Sequence, residues 1–239
     1  MLSSLDALEK GFTEAREKSR KECGKELELL RELVFGLRPV IKGLIPTSSL
    51  SPKKINSLVF WNIMNLIHTG AYTLFLASNA LYRTAYDNTR HILESILQAF
   101  YLDSRHPDVH IDTKIEILKE IEDEPSYHVI RLINKLKIPN KDKIIIPLYH
   151  DLSNKIHPTI RTFKSVLELF RSEDDMPTIV DCEEIREIHN NTKTVIDVFL
   201  LIYISSFPED KEPLKNDKLV IDYVKKHQLI LASEALGIS

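Results

Sequence analysis

Glycine and strand-like patterning are both scarce in this sequence. Only 6 of the 239 residues are glycine, and few stretches show the alternation of apolar and polar residues that a half-buried strand requires. Apolar residues recur instead at steps of three and four, and hydrophobic residues make up 43% of the chain, enough to bury a sizeable core. The sequence therefore predicts an all-α fold, a multi-helix bundle with a long N-terminal helix.

Cysteine is also scarce, with two residues in the whole chain. Cys23 and Cys182 are far apart, and their spacing fits neither a metal site nor a disulfide framework. The N-terminus lacks the apolar segment of a signal peptide. A reducing compartment is the simplest interpretation of both observations, so we expect a cytoplasmic protein.

Neither a surplus of basic residues nor a long apolar run is present. The formal net charge is −3, which argues against broad electrostatic binding of nucleic acid but leaves room for a local basic pocket. The longest apolar run, from Val195 to Phe207, contains Asp197 and is too short for a helix that spans a bilayer. We expect a soluble protein without a membrane partner.

The motifs of common catalytic sites are missing as well. The chain has no glycine-rich phosphate loop, no His-Glu-x-x-His, no nucleophile elbow and no Cys-x-x-Cys. The Glu-x-x-His pairs that bind two metal ions in helical bundles are also absent. One metal hypothesis remains, in which four side chains converge to supply nitrogen and oxygen ligands for zinc: His91, Glu94, His150 and His157. Scattered histidines without a metal are the commoner arrangement, so we expect neither a metal nor a cofactor.

The most informative stretch runs from Asn79 to Ser104. Its apolar residues follow one helix face, and no glycine or proline interrupts the chain before Pro107. A polar stripe runs beside that face, within about 80° around the helix axis. Its members are Arg83, Asp87, Arg90, Glu94 and Gln98.

Two interpretations of this stripe remain open. Arg83–Asp87 and Arg90–Glu94 are i,i+4 pairs of opposite charge, and on a solvated face each contributes roughly 0.3–0.5 kcal/mol. If neighbouring helices enclose the stripe, its Arg and Glu side chains persist only as pairs. The preceding segment, Ile55 to Ala77, is apolar on nearly every side and is predicted to be buried, with His68 in the core. A buried neighbour favours the enclosed network.

Residues 1–43 are predicted to form a long helical arm, and residues 51–239 a helical bundle domain. Ser51-Pro52 and Asp181 are typical starts of helices within that bundle. The arm begins with a narrow apolar stripe that suits contact with one partner helix, as in a coiled coil: Leu5, Leu8, Phe12 and Ala15. The stripe predicts a homodimer built on the arm, and an ordinary first helix of the bundle fits the pattern equally well.

Two patterns carry a resemblance to known proteins. Arg90 and Glu94 form Arg-x-x-x-Glu, and Leu-Ser-x-x-x-His-Pro runs from Leu152 to Pro158. Over about residues 58–170 the chain resembles a group of all-helical proteins of archaea and bacteria, which are more distantly similar to the HEPN superfamily of nucleic-acid-linked proteins. The resemblance implies RNA as a partner and places His157 near Arg90 and Glu94.

The ribonuclease motif of HEPN enzymes, however, has no good copy in this chain. That motif is an Arg, four to six further residues, and then a His. One residue too many separates Arg83 from His91, and no Arg stands at the required distance before His157. This departure argues against a ribonuclease.

The patterns and the resemblance define one candidate polar cluster: Arg83, Asp87, Arg90, His91, Glu94, His150, Ser153 and His157. The first functional hypothesis is a non-enzymatic binding or interaction protein that acts as a homo-oligomer, with the cluster as a buried network. The alternative is a HEPN-like RNA-binding protein or ribonuclease. In that case Arg90 would stabilise the phosphate and His157 would act as general acid or base.

Overall fold

The computed structural model describes residues 4–45, 50–122, 129–157 and 180–238. Within these ranges every regular element is a helix, so the predicted all-α multi-helix bundle is confirmed. No helix in the same ranges is both long and apolar enough to span a membrane.

Twelve α-helices lie within the described ranges. The first six are α1 (Ser4–Glu22), α2 (Gly24–Leu44), α3 (Pro52–Ile55), α4 (Leu58–Ser78), α5 (Tyr82–Arg105) and α6 (Ile111–Glu122). The other six are α7 (Val129–Lys135), α8 (Lys141–Ile156), α9 (Cys182–Ser206), α10 (Lys211–Asn216), α11 (Lys218–Lys226) and α12 (Ile230–Leu236). A short 3-10 turn, Pro208–Asp210, joins α9 to α10.

Helix α5 lies at the centre of the bundle, as its periodic apolar face predicts. It packs against α4, α8 and α9, and Ala85, Leu93 and Leu97 are fully buried on its inner face. The helix begins three residues later than expected. Asn79 ends α4, and the backbone then turns at Ala80, whose φ of 57° lies in the left-handed region.

The predicted N-terminal arm is two helices rather than one. The backbone leaves helical geometry at Cys23, and α2 restarts at Gly24. Helix α2 packs against α4, α9 and α11, and its buried residues join the main core. Residues 24–44 therefore belong to the bundle, in contrast to the expectation of an arm over residues 1–43. The reason is the width of the apolar face of α2, which is broad enough to face a core rather than one partner helix.

Helix α1 lies outside that core. It contacts the bundle through buried Ala15 and through Arg16, whose guanidinium donates two hydrogen bonds to Asn79 Oδ1, at 3.1 and 3.3 Å. Leu5 and Leu8, the first members of the predicted dimer stripe, have side chains outside the described part of the chain. Dimerisation through this stripe stays a prediction.

A disulfide joins Cys23 to Cys182, so the prediction that these cysteines form no disulfide is wrong. Their Cα atoms are 5.2 Å apart although 159 residues separate them along the chain. The break between α1 and α2 places Cys23 beside the first residue of α9, where Leu27 and Ile185 pack around it. Sequence spacing carries no signal of a contact that only the folded bundle creates. The cytoplasmic expectation loses one of its two supporting observations, since disulfides are rare in reducing compartments.

Polar side chains cap two helices at the positions that the sequence predicted. The Ser51 hydroxyl accepts a hydrogen bond from the backbone N–H of Lys54, and Pro52 follows at the first helical position. The Asp181 carboxylate accepts from the backbone N–H of Glu183 at 2.8 Å. Such caps satisfy donors that the helix leaves free at its start.

Helix α4 also has a cap that belongs to another helix. The Asp103 carboxylate of α5 accepts hydrogen bonds from the backbone N–H groups of Leu58 and Val59, at 3.1 and 3.0 Å, and from the Ser57 hydroxyl at 2.6 Å. Lys114 of α6 is 1% exposed and donates to the same carboxylate at 2.8 Å. A negative charge at a helix N-terminus is favourable, and Lys114 compensates its burial. This network ties α4, α5 and α6 together.

Candidate functional site

The centre of the predicted polar cluster is an ion pair between Arg90 and Glu94 on α5. Arg90 Nε lies 2.9 Å from Glu94 Oε1, and the two side chains keep only 23% and 20% of their surface exposed. The Arg90 guanidinium lies over the ring of Tyr149 on α8, 5.5 Å from its centroid. Helix α8 therefore covers the pair on one side, and solvent reaches it on the other. This environment is intermediate between the solvated face and the enclosed network that the sequence analysis considered.

The protonation states of this group follow from its surroundings. Burial lowers the pKa of Arg90, but the hydrogen bond and charge of Glu94 outweigh it, so the net pKa is raised above its ordinary value. Burial raises the pKa of the Tyr149 phenol, and the negative charge of Glu94 raises it further. Around neutral pH the guanidinium is charged and the phenol is protonated, so both act as hydrogen-bond donors.

A second set of polar contacts continues along α5 toward α9. The Tyr86 hydroxyl lies 2.6 Å from Glu184 Oε2 and 3.1 Å from Glu187 Oε2. Lys155 of α8 forms ion pairs with both carboxylates, and its Nζ lies 5.2 Å from the centroid of the Tyr86 ring. Burial, reinforced by Glu184, raises the pKa of Tyr86 far above its ordinary value. Tyr86 therefore remains a neutral donor.

These two sets form one feature between α5, α8 and α9, which we name the polar seam. Its members are Tyr86, Arg90, Glu94, Tyr149, Lys155, Glu184 and Glu187. Each charged side chain in it has an oppositely charged neighbour within the seam. The seam is partly buried, and pairing within the seam offsets the cost of removing its charges from water.

The structure brings only part of the predicted cluster into this seam. Ser153 is half-buried and lies close to the Tyr149 phenol. The other predicted members outside the seam are exposed: Arg83, Asp87 and His91 on α5, His150 on α8, and His157, whose backbone ends α8. Pro158, the last residue of the resemblance motif, lies outside the described residues.

The zinc hypothesis finds no support in the structure. Across the four described ranges, no group of three or more His, Cys, Asp or Glu side chains is placed to hold a metal ion. His91, Glu94, His150 and His157 all fall within those ranges. Their spacing along two neighbouring helices does not bring their side chains to one point.

Sequence reasoning missed the polar contacts between α4 and α5. Asn88 Nδ2 of α5 donates to the Thr73 hydroxyl at 2.7 Å and to the Thr69 carbonyl at 2.8 Å. The Ser95 hydroxyl of α5 donates to Asn62 Oδ1 at 2.8 Å. The polar residues of α4 thus face its neighbour in the bundle.

Another side of α4 presents large apolar side chains to solvent. Trp61, Met64, Tyr72 and Phe75 keep 44%, 54%, 50% and 47% of their surface exposed, and His68 between them is also exposed. We name this surface the α4 outer face: Trp61, Met64, His68, Tyr72 and Phe75. The Tyr72 and Phe75 rings stack on one another with centroids 6.1 Å apart.

The prediction that the segment from Ile55 to Ala77 is buried on nearly every side, with His68 in the core, is therefore wrong. Its composition resembles that of a buried helix because no Asp, Glu, Lys or Arg occurs from Leu58 to Ser78. One signal was available in the sequence. Asn62, Asn65, Thr69 and Thr73 recur at steps of three and four, which marks a second, polar face on the same helix.

Comparison with known proteins adds no relative. A scan against protein-family models, a search of curated proteins and a search of solved structures each found no match to this chain. The function must therefore be argued from the site itself.

Proposed function

We propose that this protein is a non-enzymatic interaction protein that acts as a homo-oligomer. The observation that carries the proposal is the α4 outer face, where four large apolar side chains are each about half exposed along one helix. Contiguous apolar patches of this kind are rare on the surface of monomers and are typical of binding surfaces. An interaction surface accounts for them.

The polar seam supports the non-enzymatic part of the proposal. Arg90 is bound to Glu94 and stacked on Tyr149, and Lys155 is bound to two carboxylates. Groups that already bind one another fix the packing of α8 and α9 on α5. We assign the seam a structural role in orienting these helices.

The alternative function, RNA binding or cleavage with Arg90 and His157, has a direct test. It requires both side chains to act on one phosphate, but Arg90 is engaged by Glu94 and His157 is exposed at the end of α8. We expect no cleavage of single-stranded or hairpin RNA by the purified chain. Cleavage that is lost in a folded His157→Ala variant would replace our proposal with the enzymatic one.

The oligomeric state tests the main proposal. We expect light scattering coupled to size-exclusion chromatography to give a mass of at least twice the chain mass of 27.6 kDa. The measured mass should fall toward that of one chain on dilution, because the exposed apolar area is moderate. One chain mass at every concentration up to about 100 µM, the range of weak transient association, would exclude a homo-oligomer.

A further inference from the structure

We infer that the α4 outer face binds the same face of a second copy of this chain, with the two α4 helices antiparallel and a twofold axis at His68. The inference rests on the proposed homo-oligomeric function and names its interface. It differs from the dimer that the sequence predicted, which uses the start of α1.

The spacing of the α4 outer face is symmetric about His68. Met64 and Tyr72 lie four residues to either side of it, and Trp61 and Phe75 lie seven residues to either side. At 100° per residue all five fall within a sector of about 80° centred on His68. The mean step of 3.5 residues is the period of helices that cross at about 20° in a left-handed pair.

This symmetry is what a twofold interface needs, because each copy then presents the same surface to the other. In the antiparallel arrangement Trp61 lies opposite Phe75 of the second copy, and Met64 lies opposite Tyr72 of the second copy. Aromatic side chains thus meet a large apolar side chain at every position away from the axis. A parallel pair would instead place each residue opposite itself, with no pairing of unlike shapes.

The exposed area is sufficient for a weak dimer. Ile55, whose carbonyl accepts a hydrogen bond from Trp61, is 41% exposed and adds to the four large side chains of the face. Half of a large side chain exposes about 100 Å², so five give about 500 Å² per copy and about 1,000 Å² for the pair. That total is at the lower edge of specific interfaces, so association should depend on concentration.

Charge and hydrogen bonding also favour a second copy. Leu58 to Ser78 contains no Asp, Glu, Lys or Arg, so α4 itself brings no like charges into the contact. The Arg16 guanidinium of α1 lies 5.6 Å from the centroid of the Phe75 ring, and the antiparallel arrangement places the two Arg16 side chains at opposite ends of the contact. A helix that lies on a lipid surface usually carries Lys and Arg, which α4 lacks.

The Trp61 indole N–H already donates to the Ile55 carbonyl at 2.9 Å, so its burial leaves no donor unsatisfied.

A charge-swap experiment tests the register. Met64→Lys and Tyr72→Glu each place a charge in the apolar contact, and we expect each variant alone to dimerise at least about 100-fold more weakly than the wild type. An equimolar mixture should form a heterodimer, because Lys at 64 then faces Glu at 72 of the second copy. Both positions are half exposed, so circular dichroism and thermal melting should show that both variants are folded.

A cysteine at the axis tests the symmetry independently. His68→Cys should form a disulfide-linked dimer under mild oxidation, since the two sulfur atoms meet at the axis. Thr113→Cys, an exposed position on α6, is the matched control and should remain uncrosslinked. Phe12→Cys reports on the alternative interface on α1. A wild-type dimer in which Phe12→Cys crosslinks and His68→Cys does not would overturn this inference and leave the proposed function standing.

The tryptophan of the face provides the third measurement. Trp61 is the one tryptophan of the chain, so we expect its fluorescence to shift to shorter wavelength as the wild-type concentration rises, and to stay constant in Met64→Lys. A dimer mass without any such shift would place the interface elsewhere. A monomer at every concentration that co-sediments with phosphatidylcholine vesicles would show lipid as the occupant instead. That outcome would end both the inference and the homo-oligomer.

Discussion

His227 shows how burial changes the chemistry of a single residue. The side chain is only 9% exposed and lies against the ring of Tyr223, with centroids 4.7 Å apart. Burial lowers its pKa to about 4, and the positive charge of Lys226 contributes in the same direction. Burial also lowers the pKa of His189 on α9. The two imidazoles are therefore neutral in the folded protein around neutral pH.

This environment predicts a loss of stability in mild acid. The unfolded chain protonates His227 near its ordinary pKa of about 6.5, whereas the folded chain does so near 4. The unfolded state therefore binds more protons in this window. The contribution of His227 to the free energy of unfolding is fully present above about pH 6.5. It is lost as the pH drops toward 4, which lowers the free energy of unfolding by on the order of 2–3 kcal/mol. Among the charged groups near the imidazole, Glu32 of α2 opposes the effect and Lys193 of α9 adds to it.

Urea denaturation at pH 7.5 and pH 4.5 measures this loss. Since carboxylates also titrate in that range, the informative quantity is the difference between the wild type and His227→Gln. We expect the variant to lose less stability between the two values. His91→Gln, at an exposed position, is the matched control. Identical losses in wild type and His227→Gln would show that His227 is not the group responsible.

Glu94 provides the second prediction at this scale. Glu94→Gln keeps the shape of the side chain but removes the charge that Arg90 binds, and the pair is about four-fifths buried. We expect the free energy of unfolding to fall by about 1.5–3 kcal/mol, the range for a hydrogen bond that involves charged groups. Asp87→Asn, an exposed carboxylate on the same helix, should cost under about 0.5 kcal/mol. Equal losses in urea denaturation would mean that solvent screens Arg90 and Glu94.

At the scale of single residues, the sequence predicted the contacts of the site that join near neighbours on one helix. The pairing of Arg90 with Glu94 follows from their spacing on one helix. Tyr149, Lys155 and Glu184 were missed because they reach the seam from α8 and α9, and their approach depends on how those helices pack. His157 was placed in the cluster by resemblance alone, and its exposed position at the end of α8 depends on where that helix stops.

At the scale of elements, the sequence predicted that helices form and predicted the capped starts at Ser51 and Asp181, but it did not predict which neighbours surround each helix. The caps at Ser51 and Asp181 are local hydrogen bonds between near neighbours in sequence. The side of α4 that faces solvent is set by which helices surround it, and an uncharged sequence gives little indication of that side. The break at Cys23 likewise reflects tertiary packing, in which α2 turns its broad apolar face into the core.

The disulfide between Cys23 and Cys182 links the junction of α1 and α2 to the start of α9. Because it closes a loop of 159 residues in the unfolded chain, we expect its reduction to lower the free energy of unfolding by about 2–4 kcal/mol. Thermal melting with and without reductant measures this effect. The double variant Cys23→Ser/Cys182→Ser should melt at the lower temperature in both conditions. Alkylation of both thiols in the folded, unreduced wild type would contradict the bond.

At the scale of the whole molecule, α2 buries many more side chains than α1 does. Helix α2 supplies residues such as Leu30, Leu33 and Leu37 to the main core. From Glu9 onward α1 buries only Ala15 and Ser19. Few buried apolar contacts mean that a helix can open while the rest of the protein stays folded. The bundle and α1 therefore differ in stability although they are continuous in the chain.

Hydrogen exchange should show this difference directly. We expect the backbone amides of α1 from residue 9 to 22 to exchange at least about tenfold faster than those of α2, since about 1.4 kcal/mol of difference in opening free energy is enough. Arg16→Ala removes the hydrogen bonds to Asn79 and the contact with the Phe75 ring, so it should speed exchange in α1 and leave α2 unchanged. Arg20→Ala, at an exposed position, is the matched control. If α1 and α2 exchange at the same rate in the wild type and in both variants, α1 unfolds only together with the bundle. The two helices would then form one cooperative unit.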